Sequence, residues 1–88
     1  MELILKIENK NLKYSSGKIE AEGLENLIKS LGELEFSEIV LSGESKSYTF
    51  LRQVALLVNI LIKTKKCSLK LKSDSFSMAG DLVFPIYK

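Results

Sequence analysis

The sequence predicts a small α/β domain: an open, mixed β-sheet with its helices on one face, in the order strand, strand, helix, strand, helix, strand, closed by an extended C-terminal segment. Three observations predict it. Residues 2–8 alternate apolar and polar at the two-residue period of a strand. Ile39-Val40-Leu41 is apolar on both faces, as in a strand covered on each side at the centre of a sheet. Between about Ser47 and Lys66 runs a helical pattern holding the most hydrophobic stretch of the chain, Val54 to Ile62. With 88 residues the chain makes one domain, 1–88. A domain of this size buries roughly 60–65% of the surface its unfolded chain exposes, so its core is modest.

Leu3, Leu5 and Ile7 form one fully apolar strand face, and Ile4, Lys6 and Glu8 a mixed one. Asn9-Lys10-Asn11 reads as a turn, since Asn tolerates the left-handed backbone region, and residues 12–15 return as a second strand with Leu12 and Tyr14 inward. Ser15-Ser16-Gly17 breaks that pattern. Leu24, Leu27, Ile28 and Leu31 then recur at helical spacing, which predicts an amphipathic helix over 20–31 with Glu20, Glu22 and Glu25 at its positive end and Gly32 as its left-handed terminator. Gly23 falls in its first turn and weakens it. Ser42 to Lys46 reads as a polar loop, and Ser47 as the N-cap of the long helix.

On that helix Leu51, Val54, Ala55, Val58, Leu61 and Ile62 share one face, while Leu56, Leu57 and Ile60 carry apolar surface round its sides, more than a single wall covers. Arg52, Gln53 and Asn59 interrupt the run, which falls short of the ~18 apolar residues of a membrane span, so no membrane insertion is expected. Cys67, Leu69 and Leu71 alternate with Ser68, Lys70 and Lys72 as a half-buried strand near an edge. The tail is too apolar for disorder, and Pro85 restricts it to an edge strand or a turn of helix followed by an extended segment.

Composition removes most chemistries. There is no His and one Cys, so the commonest general base, the usual zinc ligand sets and a disulfide framework are all absent. Cys67 points inward and lacks an activating partner. Ser42-Gly43-Glu44-Ser45-Lys46-Ser47 ends in Lys-Ser yet lacks the glycines of a phosphate loop at the required spacing. Neither Asp74 with Asp81 nor Glu33, Glu35 and Glu38 are brought together by spacing on one element, so they read as solvated surface. The net charge of +2 gives no field for nucleic acid, and Lys63, Lys65 and Lys66 complement the negative end of a helix dipole. Met1-Glu2-Leu3 lacks the basic start of a signal peptide, so a cytoplasmic location is expected. No cofactor, metal or catalytic residue is expected, and the function predicted is binding to a protein partner.

The order of elements, Ile39-Val40-Leu41-Ser42-Gly43, the leucine-rich helix ending Lys63-Thr64-Lys65-Lys66, Cys67-Ser68-Leu69-Lys70-Leu71 and Ala79-Gly80-Asp81-Leu82-Val83-Phe84-Pro85-Ile86-Tyr87 together resemble a STAS domain. That family includes anti-sigma-factor antagonists, cytoplasmic domains of sulfate transporters and small partners of lipid-transport ABC permeases. The resemblance implies a regulatory module whose partner docks around the start of the long helix. Signalling members carry a phosphorylated hydroxyl there in an Asp-Ser/Thr-x-Gly turn; here the stretch is Ser47-Tyr48-Thr49-Phe50, without the Asp or the Gly. Ser47 and Thr49 are the remaining phosphoacceptor candidates, and the resemblance implies a divergent member that does not switch by phosphorylation.

The partner-binding residues expected are Ser47, Tyr48, Thr49, Phe50 and Arg52: the loop and first turn present two aromatics and an arginine, residue types that anchor interfaces. The competing reading has Tyr48 and Phe50 capping the core. Self-association as a homodimer would cover the surplus apolar girth of the helix. Tyr14-Ser15-Ser16-Gly17-Lys18 followed by Leu24-Glu25-Asn26-Leu27 also resembles the periplasmic domain of ExbD/TolR-type biopolymer-transport proteins, an alternative expectation. A third is a small phage- or plasmid-encoded protein that blocks a host protein.

Overall fold

The computed structural model describes residues 1–80 and 82–86; Asp81, Tyr87 and Lys88, three positions of the tail, lie outside the described residues. In chain order the elements are β1 (Glu2–Glu8), β2 (Asn11–Ser16), β3 (Ile19–Glu22), α1 (Leu24–Ser30), β4 (Glu38–Glu44), α2 (Tyr48–Lys65), β5 (Ser68–Leu71), β6 (Phe76–Ala79) and β7 (Leu82–Pro85). β1 to β5 form one mixed sheet in the order β3-β2-β1-β4-β5, and β6 and β7 a separate antiparallel hairpin. β1 pairs antiparallel with β2 and parallel with β4, and β4 pairs parallel with β5.

The alternation in β1 decides where the core lies. Leu3, Leu5 and Ile7 are buried and every second residue between them is exposed. They join Leu12, Tyr14, Ile39 and Leu41 on one sheet face, in a single core with Leu27 of α1 and Leu51, Val54, Val58 and Leu61 of α2. Both helices therefore share that face with the sheet. The turn after β1 uses Asn9 at φ +57°, where an amide side chain is tolerated. α2 begins on Ser47, whose hydroxyl accepts the Phe50 N–H at 3.3 Å, and ends on Lys66 in the left-handed region. At its last turn the Lys65 ammonium donates to the Leu34 carbonyl at 3.4 Å and lies 5.3 Å from the centre of the Phe36 ring, fastening the loop that precedes β4.

Several expectations need correction. Residues 20–22 belong to strand β3, paired with β2, and α1 starts only at Leu24. Gly23 stands before the helix at φ +100°, donating its N–H to the Leu12 carbonyl, and so costs the helix nothing. Gly32 is not left-handed; the helix closes on Leu31 in a right-handed turn. Ile28 is 53% exposed rather than in the core. β4 runs on to Glu44, so Ser42 and Gly43 are strand, not loop. The centre of the sheet is β1, with Ile39-Val40-Leu41 one place out, and among the described residues no helix covers the second face. Val40, which lies on that uncovered face, is nonetheless only 7% exposed; the register sets it between Ile4 and Lys70. Of the two alternatives for the tail the edge strand is the one formed, as β7 with Pro85 at its very end, but it pairs with β6 in a hairpin where a lone extended segment was expected.

The Asn59 side chain ties this hairpin to α2. β7 bonds to β6 along one edge only, and its other edge presents backbone groups to α2. The Asn59 amide accepts the Val83 N–H at 2.7 Å and donates to the Val83 carbonyl at 2.8 Å, acting as a one-residue strand. Phe76 and Val83 of the hairpin are buried in the core. Asn59→Ala leaves both Val83 backbone groups without these partners, and the expected cost is about 2 kcal/mol in urea denaturation. Loss of hydrogen-exchange protection at Val83 exceeding that at Leu5 is the accompanying signature.

Candidate functional site

Strand β1 leads to β2 on one side of the sheet, whereas β4 leads through α2 to β5 on the other. Connections that part in this way leave a crevice at the carboxyl ends of two parallel neighbours, the usual place for a ligand in an open α/β sheet. A cleft of about 780 Å³ lies there, walled by Asn9 after β1, Glu44 at the end of β4 with Ser45 and Lys46 after it, Tyr48 and Leu51 of α2, Asp74 and Ser75 after β5, and Ile86 after β7.

Local chemistry holds these segments together. Gly43 sits at φ +94°, and a Cβ there would collide with the Ile7 backbone, 2.6 Å from its nitrogen, so only glycine lets the ends of β1 and β4 lie this close. The Asn9 N–H donates to the Glu44 carbonyl at 3.2 Å. The buried Ser73 hydroxyl donates to the Gly43 carbonyl and accepts the Ser75 N–H at 3.1 Å, drawing the segment after β5 into the wall. Ser45 Oγ accepts the Ser47 N–H at 3.0 Å, and Ser47 Oγ the Phe50 N–H, so two serines in succession turn the chain into α2. The Ile86 N–H donates to the Ser75 carbonyl at 2.9 Å and brings the hairpin to the rim.

The five residues expected to bind a partner do not form one cluster. Tyr48 lines the cleft and is 42% exposed. Arg52, one turn on along the same stripe, is exposed outside it. Phe50 packs partly buried against the core, Thr49 is exposed, and Ser47 is the half-buried cap. Of the two hydroxyls considered as phosphoacceptors, Thr49 is thus the open one and Ser47 the one engaged by the helix. Sequence reasoning placed the loop holding Glu44 at the site but missed Asn9, Asp74, Ser75 and Ile86, which reach the cleft only through long-range pairing. Gly43 inside an apolar strand was the available signal of a close backbone approach.

Chemically the walls offer two exposed carboxylates, an amine, hydroxyls and an aromatic ring. Among the described residues no three His, Cys, Asp or Glu side chains come together to hold a metal. Cys67 is buried elsewhere, its thiol donating to the Leu61 carbonyl at 3.6 Å. Burial pushes that thiol above its ordinary value, against smaller opposing effects of its backbone hydrogen bond and the Lys65 charge. No helix among the described residues is long and apolar enough to cross a membrane. No family model, curated protein or solved structure matches the chain.

Two outcomes follow from this geometry. Gly43→Ala should cost about 3 kcal/mol or more in chemical denaturation, and Gly80→Ala, at φ +63° but in open space, only about 1 kcal/mol. Because the folded Cys67 pKa lies above the unfolded one, its contribution to stability is complete below the unfolded value and is lost as pH rises through the folded value. Cys67→Ala should therefore flatten the alkaline fall in stability relative to the parent chain.

Proposed function

We propose that this chain is a non-catalytic, STAS-like interaction module of the cytoplasm that binds a protein partner through the loop before α2 and its first turn. The observation that carries this reading is the cleft where β1 and β4 part, with a half-exposed tyrosine on its wall and an exposed arginine one turn along. Tyr and Arg are the residue types that most often dominate binding energy, because each combines a large rigid contact surface with hydrogen-bonding capacity. The cleft's polar groups come from four separate segments, which suits recognition of an irregular loop of a partner. The lack of histidine in the sequence and the burial of its one thiol favour binding over catalysis in this reading. Binding is in this reading constitutive, since Phe50 occupies the place of the glycine that opens the backbone in phosphorylated members.

A photo-crosslinking amino acid at position 48, in cells of the native host, should trap a protein that the same group at Lys13, on the uncovered sheet face, does not. With that partner purified, changing Tyr48 and Arg52 to Ala should weaken binding by about tenfold or more while the melting temperature stays within a few degrees. Undiminished affinity in a folded double variant removes the cleft as the docking site.

A further inference from the structure

On the side of α2 away from the sheet the helical layer is unfinished. Leu56 and Ile60 are each 56% exposed and Ile28 of α1 is 53% exposed, although all three are large apolar residues. They flank a groove of about 620 Å³ between α1 and α2, with Leu24 and Leu57 deeper in it and Glu25, Lys29 and Gln53 on its rim. We propose that this groove seats a second copy of the chain, giving a two-fold dimer in which the two α1 helices run antiparallel across the seam. This goes beyond the cleft reading and stands independently of it, since no residue here lines the cleft.

Charge argues for a second copy over another occupant. Glu25 and Lys29 stand one turn apart at the exposed edge of α1 and pair with each other at 3.3 Å. An antiparallel two-fold places each Glu25 opposite Lys29 of the second copy, so one acid and one base per protomer make two complementary cross-pairs without any foreign charge pattern. An anionic membrane surface would instead favour a rim of cations, and this one is balanced. α1 also needs cover. It is seven residues long, has no side-chain N-cap and fully buries only Leu27, whereas isolated helices of this length are unstable.

Sedimentation velocity from about 1 to 100 µM tests the proposal. The parent chain should dimerise as concentration rises, and Glu25→Lys or Lys29→Glu alone should weaken the dimer about tenfold, since each reversal sets like charges face to face twice. The exchange of both, E25K with K29E, should restore it. Leu56→Lys combined with Ile60→Lys should give a folded monomer by circular dichroism. A parent chain monomeric throughout, a dimer indifferent to the two lysines, or a charge exchange that fails to restore association overturns the proposal. So does a monomer that binds anionic phosphatidylserine vesicles. If the lysine pair unfolds the chain, the charge series decides alone.

Discussion

The close parallel approach of β4 to β1 is the constraint on which the other elements depend. Without a Cβ at Gly43 the two backbones stay in register from Glu2–Glu38 to Glu8–Glu44, and Leu3, Leu5, Ile39 and Leu41 fall on one face. A shift of β4 by one residue would turn Ile39 and Leu41 to the face opposite Leu3 and Leu5, because side chains alternate along a strand. With that face fixed, α1 and α2 have one place to bury Leu27, Val54 and Val58, so the helical layer follows from the pairing. The cleft follows too, since it is bounded by the residues that leave the two strands in opposite directions.

The long helix then has to satisfy more neighbours than a sheet alone provides. Its sheet-facing stripe meets the core, Leu57 turns toward α1, and Asn59 turns toward the C-terminal hairpin. A polar residue in the middle of an apolar helix looks in the sequence like an interruption. Its function is to complete the hydrogen bonding of a strand whose outer edge has no strand beside it, which an apolar side chain at that position cannot do. The hairpin is thereby held on a part of α2 that the sheet does not reach, and it is this hairpin that delivers Ile86 to the cleft.

How much the sequence revealed depended on burial. β1 and α2 were legible almost to the residue because one face of each is buried, and burial writes the period into the apolar positions. β3 was illegible for the opposite reason: all four of its residues are exposed, it is held by backbone bonds to β2, and Glu20 and Glu22 on it imitate an acidic helix start. Ile28 kept the helical spacing yet lies outside the core, since periodicity shows which residues share a face and not how far the neighbouring layer extends. At the site, Tyr48 and its loop were visible as an aromatic and polar cluster. The walls contributed by Asn9, Asp74 and Ile86 were not, because they are assembled by contacts across most of the chain.

Tyr48, Arg52, Leu56 and Ile60 form one exposed ridge on α2, each four residues after the last. Steps of four drift by about 40° round a helix, so the ridge leaves the cleft at its first turn and reaches the inter-helix groove by its third. Character changes along it: polar and aromatic where the surface opens onto the crevice, aliphatic where it faces α1. A partner confined to Tyr48 and the loop and a second copy seated over Ile60 occupy different sides of the helix and bind together. A partner that reaches past Arg52 meets Leu56, and there the two occupants compete for the same surface. On the proposed docking and self-association, the reach of the partner along this ridge sets whether the two are independent or mutually exclusive, because two ligands that exclude each other from one site weaken each other's binding equally.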